Sequence, residues 1–143
     1  FVLAVLKINS NLERIGDIAE GVAKHILSAE KPFNYELLKA TSTVSMYEEA
    51  IHILEDSLSA FEKEDTGLAR SIFQKDEFLD NINMSATASI VKYLEMHPED
   101  LEQALYNLSI IRKLERVGDQ AKNIAEETIF YVEAKVIKHK GEA

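Results

Sequence analysis

Apolar residues recur every three to four positions along almost the whole chain, which is the period of an α-helix. No segment alternates at period two, and two prolines and five glycines leave few helix breakers. The pattern predicts four long helices: A from the first residue to about Ser28, B from Tyr35 to about Lys63, C from the break at 64–67 to about Glu95, and D from Pro98 to about Lys138. Asn34 and Thr66 are the predicted N-caps of helices B and C.

Three of these helices carry an apolar stripe that we expect to face a common core. The stripes consist of Val44, Tyr47, Ile51, Leu54, Leu58 and Phe61 on helix B, of Ile72, Leu79, Ile82, Ala86, Ile90 and Tyr93 on helix C, and of Ile111, Leu114, Ala121, Ala125 and Val132 on helix D. Short connections favour antiparallel neighbours. The sequence therefore predicts an all-α protein, an antiparallel bundle of long helices.

One hexapeptide occurs twice, at Leu12–Asp17 and at Leu114–Asp119, offset by 102 positions. Leu-Glu-Arg-Ile-Gly-Asp in the first copy becomes Leu-Glu-Arg-Val-Gly-Asp in the second, and identities continue on both sides. The offset matches helix A to helix D, so residues 1–30 are interpreted as the last helix of a truncated first repeat. Residues 35–143 are interpreted as a complete second repeat of three helices. We expect apolar surface to be exposed at residues 1–6, where the rest of the first repeat would precede the chain.

Three pairs of acidic residues stand four positions apart, a spacing that places both carboxylates on one helix face. The pairs are Glu13 with Asp17, Asp76 with Asp80, and Glu115 with Asp119. The last two pairs are predicted at the flanks of their apolar stripes and would converge if helices C and D are neighbours. Clustered carboxylates disfavour one another's ionisation unless a cation or water separates them. Oxygen ligands without cysteine suit Mg, Mn, Ca or Fe, and also Zn, although acids on helix flanks can equally serve as a solvated surface.

Both copies of the hexapeptide also contain an arginine and a glycine in the middle of a helix. Glycine there costs about 1 kcal/mol relative to alanine, so Gly16 and Gly118 suggest close approach of a neighbouring helix. For Arg14 and Arg116 we expect ion pairs with nearby acids in preference to binding of an anion.

Composition excludes several classes of function. A net charge of −9 disfavours nucleic acid as a partner and suits cations or basic protein surfaces. No apolar run approaches the roughly 20 residues of a membrane span. Di-iron bundles use two Glu-x-x-His motifs, whereas Glu49-Ala-Ile-His52 is the only one present, so a ferritin-like oxidase is disfavoured. No nucleophile is paired with a base, which argues against an enzyme.

The segment from Leu114 to Glu133 resembles the last helix of the PhoU family, and Gln74–Asp80 resembles that family's Asp-x-x-x-Asp helix. The resemblance implies a tandem of two three-helix bundles, often dimeric, that binds multinuclear metal clusters through these acidic motifs. Iron or zinc is the implied metal, with manganese or magnesium as alternatives. By position, Asp76, Asp80, Glu115 and Asp119 would form the second-repeat site. Glu13 and Asp17 would be half of the first-repeat site, and if one copy alone holds metal we expect the second.

The resemblance further implies a cytoplasmic regulator that restrains phosphate uptake and the phosphate-starvation response. It would contact a phosphate ABC transporter and a sensor histidine kinase, and would reach the membrane only through these partners, as a homodimer. Three alternatives stay open: a PhoU-like regulatory domain of a sodium–phosphate cotransporter, a metal-dependent enzyme acting on phosphate esters, and a helical scaffold without ligand.

Overall fold

The computed structural model describes the backbone of residues 1–141 and the side chains of residues 1–136. Its helices are α1 (Val2–Ser28), α2 (Tyr35–Ala40), α3 (Thr43–Glu62), α4 (Thr66–Leu94) and α5 (Leu101–Gly141), with a single 3-10 turn at Pro98–Asp100 before α5. The predicted all-α class is confirmed, and no strand occurs among the described residues. The side chains of the Lys-His-Lys-Gly segment at 138–141 lie outside the described ones.

The predicted helix B is two helices, α2 and α3, separated by a break that was not predicted from the sequence. The chain turns at Thr41 and Ser42, where Ser42 adopts the left-handed conformation with φ of 55°. A buried hydrogen-bond ring fixes this turn on α5: the Thr43 hydroxyl donates to Asn107 Oδ1 at 2.9 Å, and Asn107 Nδ2 donates to Thr41 Oγ1 at 2.9 Å. Thr41 and Thr43 oxygens close the ring at 2.8 Å. Tertiary hydrogen bonding therefore overrides a continuous helical pattern.

One of the two predicted N-caps is confirmed. The Asn34 side chain accepts a hydrogen bond from the backbone N–H of Glu36 at 3.0 Å. The prediction of Thr66 is wrong by one residue, since Asp65 caps α4 by accepting from the N–H of Leu68 at 2.9 Å. A carboxylate is at least as good a cap as a threonine hydroxyl and also interacts favourably with the helix dipole.

Helix α5 is the centre of the packing. Helices α3, α4 and α5 all pack on one another, and α1 packs along α5. The α1–α5 pair is antiparallel and carries the internal repeat as an approximate two-fold symmetry. Asn123 Nδ2 donates to Asn11 Oδ1 at 3.4 Å, and the Lys113 side chain lies over Gly21. Adding the offset of 102 to residues 11 and 21 gives 113 and 123, so each contact is the counterpart of the other.

The core stripes predicted on α4 and α5 are confirmed, except that Val132 is only half-buried. The stripe predicted on α3 is wrong. Its buried residues are Thr43, Met46, Ala50, Ile53, Ser57 and Ala60, whereas Val44, Tyr47, Ile51 and Leu58 are exposed. The buried face includes the small residues Ala50, Ser57 and Ala60 beside Met46 and Ile53, and the predicted stripe lies on a different face.

That second face of α3 and the apolar face of α1 border a groove of about 540 Å³. Val44, Tyr47 and Ile51 line it from α3, and buried residues of α5 form its floor. At the start of α1, Phe1 and Leu3 are exposed, as expected for residues 1–6. The structure thus leaves apolar surface on α1 and α3 uncovered.

Candidate functional site

The candidate site lies where α4 and α5 approach most closely, at Asp76 and Gly118. A Cβ atom added at Gly118 would overlap Asp76 Oδ1 and lie 2.7 Å from Leu79 Cδ1. The close helix approach predicted from this glycine is therefore confirmed. Gly16, the matching glycine on α1, has nothing within 4 Å of the same position. We call the contact between α4 and α5 at Asp76, Asp80, Glu115, Asp119 and Lys122 the acidic seam.

Asp76 is 2% exposed, so its predicted place at the flank of α4 is wrong. It lies one turn after Ile72 and one turn before Leu79, on the same buried face of the helix. The stripe predicted from the sequence was drawn through apolar residues alone, so it left out this buried aspartate. Asp76 Oδ2 contacts Lys122 Nζ at 2.5 Å, while Asp76 Oδ1 is buried and has no hydrogen-bond partner among the described residues.

Lys122 joins the two helices across the acidic seam. Its Nζ lies 2.5 Å from Asp76 Oδ2 on α4 and 2.9 Å from Asp119 Oδ1 on α5, and its side chain is 25% exposed. Lys122 is not among the site residues predicted from the sequence, which are all acidic. A signal was available, because Lys122 follows Asp119 by three positions and so shares its helix face.

The electrostatics of the acidic seam reflect burial first and mutual repulsion second. Burial raises the pKa of Asp76, and the charges of Asp80 and Asp119 raise it further, against the opposing effect of Lys122. Burial likewise raises the pKa of Glu115, with the charges of Asp119, Asp80 and Asp76 adding to it. Burial alone would lower the pKa of Lys122, but its hydrogen bonds to Asp76 and Asp119 outweigh this effect, and the net shift is upward. The acidic seam therefore favours a cation.

The structure brings the pair Asp76 and Asp80 on α4 close to the pair Glu115 and Asp119 on α5, because the charges of these acids act on one another. Asp80 and Glu115 are half-buried. Their oxygens are not gathered as tightly as in a filled metal site. Among the described side chains, the one trio whose potential ligand atoms all lie within 4.8 Å of one another is His97, Glu99 and Asp100.

That trio has a structural explanation. Asp100 Oδ2 already accepts hydrogen bonds from the Tyr93 hydroxyl at 2.5 Å and from Asn34 Nδ2 at 3.0 Å. These bonds tie the end of α4, the segment before α2 and the start of α5 together. We therefore infer that the carboxylate of Asp100 stabilises this end of the bundle and is not a metal ligand.

The first-repeat pair is placed apart from the acidic seam. Glu13 and Asp17 are exposed on α1, and Glu13 accepts only a hydrogen bond from Asn9 Nδ2 at 3.3 Å. No described helix lies against Gly16 as α4 lies against Gly118. Arg14 and Arg116 are exposed, and the ion pairs expected for them are absent among the described side chains.

Within the described residues, no helix has both the length and the hydropathy required to cross a bilayer. Glu49 and His52, the single Glu-x-x-His motif, lie on the outer side of α3 with His52 exposed.

Comparison with known proteins places the chain in a family. The family model described as the PhoU domain matches residues 43–128, which span α3, α4 and most of α5. The chain is 31% identical over 139 residues to the phosphate-specific transport system accessory protein PhoU homolog 1 of Thermotoga maritima, covering 96% of this chain and 59% of that protein. It is 32% identical to the corresponding homolog of Pseudomonas aeruginosa, covering 98% of this chain and 57% of that protein.

The fold agrees with these sequence matches. The crystal structure of PhoU from Pseudomonas aeruginosa superposes with a TM-score of 0.78 at 30% identity, covering 93% of this chain and 63% of that one. The chain thus spans less than two thirds of the length of these relatives. Since the matched family region contains α4, the second hexapeptide and the whole acidic seam, the chain belongs to the PhoU family.

Proposed function

We propose that this chain acts in a PhoU-type regulator that restrains phosphate uptake and phosphate-starvation signalling. The observation that carries the proposal is the match of nearly the whole chain to relatives named as accessory proteins of the phosphate-specific transport system. The proposed partners are a phosphate ABC transporter and a sensor histidine kinase, contacted from the cytoplasm by a homodimer. The net charge of −9 supports docking to basic surfaces on such partners.

The proposed role is that of an adaptor and not of an enzyme. Long helices pack around α5, and the excess of acidic over basic residues offers charge that a basic surface of a partner can bind. Regulation would follow if phosphate status changes which partner this surface binds. The rival reading as a phosphoesterase predicts hydrolysis of a phosphate ester in the presence of manganese or iron, whereas the adaptor predicts none.

The acidic seam is the proposed metal site, and its residues fit a cation. All four candidate ligands are carboxylates, which suit hard or borderline metals. Asp76 Oδ1 is buried without a partner among the described residues, and Gly118 contributes no side chain of its own where Asp76 approaches α5. A bound cation, with iron or zinc foremost, would neutralise the acids and crosslink α4 to α5. Glu13 and Asp17 are proposed only as half of a further site.

Binding to the reconstituted transporter tests the regulatory proposal. The chain would be immobilised and probed with the phosphate ABC transporter in lipid nanodiscs, with and without phosphate. The proposal predicts binding that changes with phosphate and weakens at high salt, because exposed charges dominate the contact. The matched control is an unrelated ABC transporter in the same nanodiscs. Equal binding to both transporters, or binding to neither, would refute the docking role.

A further inference from the structure

We propose that the ammonium group of Lys122 is the resident cation of the acidic seam, and that a divalent metal binds there by displacing it. The inference deepens the proposed metal-binding function and rests on it. The inference concerns Lys122, which lies outside the acidic motifs at 76–80 and 115–119.

The position of Lys122 carries the first step. Its Nζ contacts one carboxylate from each helix, at 2.5 Å to Asp76 and 2.9 Å to Asp119. Metal–oxygen distances are about 2.0–2.6 Å for calcium, magnesium and zinc. A metal ion held by the same two oxygens would have to lie close to the place of Nζ, where two cations cannot coexist. The lysine and the metal are therefore alternative occupants.

A second observation shows that the lysine leaves ligand capacity unused. Asp76 is 98% buried, yet its Oδ1 has no hydrogen-bond partner among the described residues. Burying an unpaired carboxylate oxygen is unfavourable. Half-buried Asp80 and Glu115 add two further carboxylates to the acidic seam, and Glu115 lies close enough to feel the charges of Asp76, Asp80 and Asp119. The acidic seam therefore has more acceptors than Lys122 satisfies, and a cation of higher charge can satisfy them better.

The side chain of Lys122 can also leave the acidic seam towards solvent. A quarter of it is exposed, and lysine carries its charge on a flexible four-carbon stem. Rotation of the side chain towards solvent would free the oxygens of Asp76 and Asp119 for a metal ion. In the metal-free state the ammonium group compensates part of the negative charge, through its contacts with Asp76 and Asp119. Metal binding would then exchange one crosslink for another.

Metal titration of chelator-treated protein tests the exchange. Mn²⁺ and Zn²⁺ would be titrated calorimetrically into the wild type, into Lys122→Met and into Arg116→Met. Lys122→Met keeps the stem and removes the competitor, so its metal affinity should rise on the order of tenfold. Arg116→Met removes a nearby positive charge without contact to Asp76 or Asp119, so its affinity should change less than about threefold.

The outcomes separate the inference from the metal-binding proposal. Tighter binding by Lys122→Met supports displacement, even if wild type shows no measurable binding. Binding of equal or lower affinity in Lys122→Met, beside normal binding in wild type, overturns displacement and leaves the metal site standing. Absence of binding in every variant overturns both.

A second measurement needs no substitution and so does not depend on the folding of a variant. In nitrogen-15 NMR of lysine side chains, the ammonium group of Lys122 should exchange slowly in metal-free protein. Its signal should shift or lose this protection as Zn²⁺ saturates the acidic seam. An unchanged Lys122 signal at saturating Zn²⁺ would overturn the inference.

Discussion

Alanine substitution at the two hexapeptide glycines should change stability in opposite directions. Gly16 and Gly118 occupy the same position of the repeat and both lie within a long helix. Replacing glycine by alanine in a helix interior gains about 1 kcal/mol from propensity at either site. The surroundings differ, because a Cβ at Gly16 meets nothing within 4 Å, whereas a Cβ at Gly118 overlaps Asp76 Oδ1.

The magnitude follows from subtracting these effects. Overpacking a closed helix contact costs about 1–3 kcal/mol, and buried Asp76 with Leu79 Cδ1 at 2.7 Å gives the added methyl group little room. Gly16→Ala should therefore raise the free energy of unfolding by about 1 kcal/mol. Gly118→Ala should lower it by up to about 2 kcal/mol. Since the propensity gain is common to both, their difference measures the steric cost at the acidic seam.

Urea denaturation of the 143-residue chain, followed by circular dichroism in the presence of chelator, measures both values. The denaturant dependence should stay equal among wild type and variants, so that a shift of midpoint reports stability alone. If the two variants differ from each other by less than about 0.5 kcal/mol, the close contact between Gly118 and Asp76 is refuted.

Three further changes test other parts of the structure. Asn107→Leu should lower the free energy of unfolding by about 1–3 kcal/mol in the same urea assay, because it leaves two buried threonine hydroxyls without their amide partner; an unchanged midpoint would contradict the buried ring. Ser42→Gly should raise the free energy of unfolding by about 0.5–1 kcal/mol, because glycine adopts a φ of 55° without steric cost; a decrease would contradict the left-handed turn. Burial and the hydrogen bond to Asp100 raise the pKa of Tyr93 to about 12, so the folded chain keeps this proton where the unfolded chain loses it, and stability should fall as pH rises from about 10 to about 12. Tyr93→Phe should flatten that decline, and an equally steep decline in the variant would contradict the assignment.

The sequence predicted the helices well because their apolar spacing is strong and their connections are short. It failed on α3, where two faces carry apolar residues at helical spacing. The predicted face contains Val44 and Tyr47, whereas the face that packs on α4 and α5 contains Met46, Ala50 and Ile53. Helical periodicity cannot identify which of two apolar faces meets a neighbour, because that depends on the backbone separation.

The acidic residues of the candidate site could be predicted from the sequence, but their arrangement in space could not. The doubled Glu-x-x-x-Asp spacing identified Glu115 and Asp119, and the glycine between them predicted the close helix contact that is found. Burial of Asp76 and the bridge through Lys122 depend on how α4 and α5 are aligned along each other. The spacing of Asp119 and Lys122 indicates that they share a helix face, but no local pattern in either helix encodes the alignment that brings Lys122 to Asp76.

Asymmetry between the two hexapeptide copies is the central claim: the second packs against α4 and is proposed to form a cation site with it, while the first stands exposed on α1. The most direct test is anomalous diffraction from crystals of this chain soaked in excess zinc or iron salt. An anomalous peak is predicted among Asp76, Asp119 and Glu115, with Lys122 turned away and no peak at Glu13 and Asp17. A peak at Glu13 and Asp17 with none at the acidic seam would contradict the claim.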